Sequence, residues 1–108
     1  MPPLATVRVR HLRRRVLDVL RAAARAGGEG RLGATVLFEY LFDEIDGLSV
    51  GEVRDAVTYL GEKGYVEVTN LAEHRGDPAR LAARLSATGI DLLDETIPPD
   101  PGVEDPRA

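Results

Sequence analysis

Apolar residues recur at three- and four-residue steps over residues 7–26. Val9, Leu12, Val16, Leu20 and Ala23 fall on one stripe, which predicts a long amphipathic helix. Arg10, Arg13, Arg14, Arg21 and Arg25 fall mostly off that stripe, and Gly27-Gly28 supplies a stop. After a loop at 27–33, residues 34–46 repeat the helical period with Val36, Leu37, Tyr40, Leu41 and Ile45 pointing one way. Glu39, Asp43, Glu44 and Asp46 make the outer face of this second helix acidic, and Gly47 ends it. Ser49-Val50-Gly51-Glu52 then reads as a capping box: the Ser49 hydroxyl accepts from the Glu52 amide while the Glu52 carboxylate reaches back to residue 49. The stripe of the third helix is Val50, Val53, Val57 and Leu60 with Ala56 beside it, and Lys63-Gly64 closes it with a cation and a glycine.

The period then changes from helical to alternating. Tyr65-Val66-Glu67-Val68-Thr69 is β-branched and aromatic, which predicts a strand with Val66 and Val68 inward. Residues 73–78 form a turn by composition. Beyond them Leu81, Ala83 and Leu85 alternate with Arg80, Ala82 and Arg84, as in a returning strand. The same stretch is rich in helix formers behind Asp77-Pro78, so helix and strand compete there, and pairing with residues 65–71 across a short turn favours the strand. Ser86 caps a last helix, 87 to about 95, with Ile90, Leu93 and Ile97 for the core. Four prolines in residues 98–108 mark a tail that is extended or disordered beyond one docked turn. The expected organisation is one domain over 1–97 and a proline-rich tail over 98–108. The expected class is mainly α with a small β-hairpin (α+β): three helices, a hairpin and a C-terminal helix.

Composition narrows the chemistry. A chain of 108 residues has room for one domain. With 44% apolar and 30% charged residues it reads as soluble and globular, with a modest core. Having no cysteine, it can form no disulfide, thiolate metal site or cysteine nucleophile. His11 and His74 are its only histidines, a weak basis for a metal, so no metal and no cofactor is expected. There is no glycine-rich phosphate loop with its lysine, no nucleophile motif and no His-Glu-x-x-His, which argues against an enzyme. Asp43, Glu44 and Asp46 read as a solvated helix face rather than a cation site. The N-terminus lacks the apolar region of a signal peptide and no stretch approaches a membrane span, so a cytoplasmic location is the expectation.

The net charge of −4 hides a strong segregation. Residues 1–25 carry +6, residues 26–72 carry −6, residues 73–85 carry +1 and residues 86–108 carry −5. Such separation is typical of proteins with a polar partner.

The order of elements, with the short turn Gly47-Leu48-Ser49 between the second and third helices, is that of a winged helix-turn-helix. The run S-V-G-E-V-R-D-A-V-T-Y-L-G-E-K-G-Y-V-E-V resembles a recognition helix leading into a first wing strand. L-S-A-T-G-I-D-L-L is similar to the L-T-x-x-G start of the helix after the wing in many small bacterial regulators. The ending G-I-D-L-L-D-E-T-I-P-P-D-P-G-V resembles short ArsR- or MarR-like winged-helix proteins of bacteriophages and prophages. The resemblance covers roughly residues 7–103 and implies a DNA-binding transcriptional regulator whose partner is double-stranded DNA.

By that resemblance residues 49–63 would lie in the major groove and residues 72–80 would form the wing. Arg54 suits guanine, Thr58 suits a thymine methyl or a phosphate, and Tyr59 would donate to a phosphate. Arg75 and Arg80 are the phosphate candidates of the hairpin, with a solvated turn as the alternative. Glu52, Asp55 and Glu62 put carboxylates on the helix that should approach a polyanion, which opposes duplex binding. Glu52 also reads as a cap residue, Asp55 and Glu62 as solvated charges, and Tyr59 and Tyr65 as rim packing.

For the basic first helix several readings stand side by side. Arg10, Arg13, Arg14 and Arg21 would form a homodimer interface, since the first and last helices build the two-fold contact in ArsR-like dimers, or a phosphate-tracking surface. Alternatively they are solubilising side chains whose stems cover an apolar rim. A membrane-surface helix fits the charge but lacks Trp and Phe. The alternative function, motivated by the acidic outer face of the second and third helices, is a winged-helix interaction module that binds protein and does not read DNA.

Overall fold

The computed structural model describes residues 4–70 and 81–105, four helices and a three-stranded antiparallel sheet. In chain order the elements are α1 (Leu4–Arg25), β1 (Leu32–Gly33), α2 (Ala34–Leu41), α3 (Val50–Glu62), β2 (Val66–Asn70), β3 (Leu81–Leu85) and α4 (Ala87–Leu93). The strand competes successfully at 81–85: Ala82, Ala83 and Leu85 stand opposite Thr69, Val68 and Val66. Two-residue β1, which lies inside the expected loop, pairs with the other edge of β3, Leu32 opposite Ala83 and Gly33 opposite Ala82. β3 is therefore central, and its order in the sheet is β1-β3-β2. Cross-strand hydrogen bonding thus overrides the helix propensity of the Ala-Arg-Leu run.

The core forms where the three longest helices meet the sheet. Leu17, Leu20, Leu37, Leu41, Leu60, Val16, Val53 and Val57 are its largest fully buried side chains. Leu12, Val16 and Leu20 follow the predicted stripe, and Leu17 widens it. Val9 lies on the same stripe but one turn beyond the core, and is exposed. α3 matches its expected stripe at Val53, Ala56, Val57 and Leu60.

Four further apolar residues differ from the sequence expectation. Val36 and Tyr40 of α2 are exposed, with Ala34 and partly buried Phe38 on the core side instead. Tyr40 faces the end of α1 where Ala22, Ala23 and Ala26 stand, side chains too short to cover it. Val68 is exposed although Val66 is buried; midway along β2 it borders an open cleft with Thr58, Gly61, Glu62 and Leu81. Ile90 is exposed while Leu92 and Leu93 are buried, since α4 seats its Gly89 face on the Tyr65 backbone.

Local capping follows the sequence closely. Ser49 Oγ accepts the Glu52 amide at 3.2 Å and the Glu52 carboxylate accepts the Ser49 amide at 3.1 Å. The expected cost of Ser49→Ala is about 1 kcal/mol, read as a lower midpoint in urea with an unchanged slope. Gly47 has φ +68°, the left-handed conformation that the tight α2 to α3 connection requires. Ser86 caps α4 by accepting the Gly89 amide at 3.1 Å, and its hydroxyl donates to the Gly64 carbonyl at 2.5 Å.

Residues 100–104 of the proline-rich segment fold back onto α1 and α3. Val103 is buried in the core, and the Glu104 amide donates to the Arg10 carbonyl at 3.1 Å.

Candidate nucleic-acid interface

With Val53, Ala56, Val57 and Leu60 turned inward, the opposite side of α3 carries Gly51, Arg54, Asp55, Thr58 and Glu62. Arg54 and Asp55 pair with each other at 3.3 Å, Asp55 well exposed and Arg54 half-exposed. Thr58 is exposed, and together with Gly61, Glu62, Val68 and Leu81 it borders a shallow cleft between α3 and the β2–β3 hairpin. Arg75 and Arg80, the hairpin candidates, lie outside the described residues.

Tyr59 points the other way. Its hydroxyl donates to Asp100 Oδ1 at 3.1 Å, and the Arg13 guanidinium stacks over its ring at 3.6 Å from the centroid. Such a stacked cation is held by the negative face of the ring. Burial and the Asp100 carboxylate together push the Tyr59 hydroxyl above its ordinary pKa. It is thus engaged within the chain, on the side of α3 where the C-terminal segment docks.

Glu52 does not stand free. Arg8 donates to it through Nε at 3.0 Å and Nη2 at 3.3 Å, and its Nη1 donates to the Asp46 carbonyl at 2.6 Å. The Arg8 hydrogen bond, outweighing partial burial, lowers the Glu52 carboxyl below its ordinary value, with help from the Ser49 amide. This fork joins the start of α1 to the turn before α3 and compensates one of the three acids that oppose a polyanion. Asp55 has Arg54 beside it, whereas Glu62 makes no ion pair among the described residues.

The arginines of α1 are largely committed to the chain itself. Arg15 grips both oxygens of Glu44 at 2.9 and 3.0 Å and also reaches Asp18 at 3.1 Å. The Arg15 hydrogen bonds, against a smaller burial effect, hold the Glu44 carboxyl low. Arg14 pairs with Asp18 at 3.2 Å and Arg21 pairs with Asp94 at the end of α4. Arg13 donates to the Gly102 carbonyl at 2.9 Å. Arg10 and Arg25 make no ion pair among the described residues, and the Nε atoms of Arg10 and Arg13 are buried without a partner. The opposite charges of the first and last segments therefore meet within one chain at Arg21 with Asp94, and the His11 ring also contacts the Glu104 carboxylate at 3.0 Å.

The chain matches no family model and no curated protein.

Asp100 is the residue that the sequence reading overlooked. Its carboxylate accepts from Tyr59, from Tyr65 at 2.8 Å and from the Gly102 amide at 2.7 Å. Burial works against its ionisation, but the Gly102 amide, the two tyrosine hydroxyls and the Lys63 charge outweigh it, so the carboxyl lies below its ordinary value. Tyr65 is pushed up to about 12 by burial and by the same carboxylate. The signal available was Asp100-Pro101-Gly102, a turn signature followed by the apolar Val103 in a polar tail. Among the described residues no group of three metal-ligating side chains converges, and no helix is long and apolar enough to cross a membrane.

Proposed function

We propose that this chain is a winged helix-turn-helix protein that binds duplex DNA as a transcriptional regulator, with α3 in the major groove and the β2–β3 hairpin beside the phosphates. The observation that carries this reading is the outer face of α3. α3 packs against α1, α2 and the sheet, while on its free side Thr58 is exposed and Arg54 pairs only with the neighbouring Asp55 among the described residues. The glycine turn and capping box fix its start, which is the end a recognition helix presents to base edges. Gly51 in the first turn has open space beyond its Cα apart from Ser49, so a backbone can approach closely there. The compensation of Glu52 by Arg8 removes part of the charge conflict that the sequence raises.

Arg54 carries base recognition and Thr58 a methyl or phosphate contact. Tyr59 acts by holding the C-terminal segment rather than by touching DNA, because its hydroxyl already has Asp100. Arg75 and Arg80 supply phosphate contacts. In a titration with duplex DNA at low salt, log affinity should fall linearly with log salt, and Arg75→Ala with Arg80→Ala should reduce the slope by about 1 per contact. Arg54→Ala should weaken the preferred sequence about tenfold to hundredfold and relax specificity there. Absence of binding at about 50 mM salt would sink this reading, since nonspecific phosphate attraction is strongest there.

One observation favours the second reading, a protein-binding module. Four arginines of α1, Arg8, Arg14, Arg15 and Arg21, are already neutralised by carboxylates of the same chain. On α3 the outward Glu62 stays unpaired among the described residues. A protein of this second kind would show no salt-dependent DNA affinity, and Arg54→Ala would leave its partner binding unchanged.

A further inference from the structure

A second surface lies on the molecule away from the outer face of α3. Between the C-terminal half of α1 and the outer side of α2 runs a groove of about 220 Å³ lined by Val19, Ala22, Ala23, Ala26, Leu32 and Tyr40. Its floor is alanine and its α2 wall is Tyr40, 63% exposed, with Val36, 39% exposed, one turn before it on the same helix face. Phe42, stacked on Phe38 with ring centroids 5.7 Å apart, is 48% exposed on the other flank of α2. Several large apolar groups exposed together on one small domain are what an association surface shows.

The charges around the groove say what fits it. On the α1 wall Arg25 is exposed, one turn beyond Ala22, and makes no ion pair among the described residues. On the α2 wall Glu39 and Asp43 flank the Val36–Tyr40 ridge, are exposed, and make none either. This contrasts with Arg15 and Glu44 of the same two segments, which pair with each other. An occupant must therefore offer an apolar ridge for the alanine floor, carboxylates opposite Arg25 and a cation opposite Glu39 and Asp43. The α2 ridge of this same chain provides the first two, and its α1 wall provides the third.

We propose that this groove is a homodimer interface, occupied by the corresponding face of a second copy related by two-fold symmetry. The contact is isologous: Tyr40 of each copy enters the alanine floor of the other, and Arg25 of each meets Glu39 and Asp43 of the other. Large side chains seated against small ones give the complementarity that a packed interface needs. This interface differs from the first-and-last-helix contact that the family resemblance implies, and α4 is already tied to α1 in one chain by Arg21 and Asp94. It also leaves the outer face of α3 uncovered, so it stands apart from the DNA-binding proposal.

Sedimentation equilibrium of the full chain without DNA tests it. The wild type should sediment as a dimer, and Tyr40→Asp should weaken self-association by about tenfold to hundredfold, as expected for loss of a central aromatic anchor. Because Tyr40 is exposed, the thermal transition of a dilute sample should be nearly unchanged, which separates lost association from lost folding. Arg25→Glu should weaken the dimer, and adding Glu39→Arg and Asp43→Arg to it should restore association by reversing every cross-pair together. A wild type that remains monomeric at about 100 µM, a concentration that detects even weak pairing, overturns the proposal. So does a dimer indifferent to Tyr40→Asp, or a charge reversal that fails to recover it.

Discussion

Replacing Gly89 by valine is expected to lower the melting temperature by roughly 12–24 °C, the shift that about 3 kcal/mol produces in a domain of this size. A Cβ at that position would overlap the carbonyl oxygen of Tyr65 and come within 2.7 Å of Leu85 Cδ1. The obstacle is backbone. The Tyr65 carbonyl accepts the Ser86 amide at 3.1 Å and the Tyr65 amide donates to the Leu60 carbonyl at 2.9 Å, so it cannot retreat without opening the junction of α3, β2 and α4. The Ser86 cap of α4 would be displaced with it. Gly51→Ala is the control: the nearest atom is Ser49 Oγ at 3.8 Å, and an alanine inside a helix should stabilise by about 0.5–1 kcal/mol. Thermal melts of the two variants should move in opposite directions; a Gly89→Val protein melting like wild type would show that α4 can be seated differently.

Asp100→Ala should lower stability by about 2–3 kcal/mol, near the upper range for hydrogen bonds to one charged group. It removes the acceptor shared by the Tyr59 hydroxyl, the Tyr65 hydroxyl and the Gly102 amide. The pH dependence has a defined sign. Because the folded Asp100 carboxyl lies below its ordinary value, its contribution is complete above that value and disappears as pH falls through the folded one. Tyr65 behaves in the opposite sense: its hydroxyl is raised to about 12, so its contribution holds below the ordinary tyrosine value and is lost as pH climbs toward 12. Ultraviolet titration should show Tyr59 and Tyr65 ionising late in the wild type, Tyr65 last, and both earlier in Asp100→Ala. If tyrosine ionisation is identical in the two proteins, the carboxylate does not hold Tyr65 in solution.

The helices were readable because their signals are local. The stripe of α3, the capping box at Ser49 and the glycine at 47 each lie within a turn or two of what they specify. The strand at 81–85 was readable only against the helix alternative, through its partner at 66–70. β1 escaped because two residues carry no period; only its hydrogen bonds to β3 define it. The faces of α2 and α4 depart from their periodic pattern for a tertiary reason. Alanines at the end of α1 leave Tyr40 uncovered, and the close approach of Gly89 to Tyr65 turns Ile90 outward. Of the candidate site, Arg54 and Thr58 stand on the outer face of α3 as expected. The engagement of Tyr59 by Asp100 depends on a contact between residues 41 positions apart, which neither composition nor spacing encodes.

Short as it is, β1 sets an order on folding. The turn between α2 and α3 and the β2–β3 pairing close small loops, so they cost little chain entropy to form. Joining Leu32 to Ala83 closes a loop of about 50 residues, and such a closure becomes favourable only once α1, α2 and α3 have drawn its ends together. The amides that β1 and β3 share should then gain protection last during refolding and lose it first on partial opening, which makes two residues the latch of the sheet.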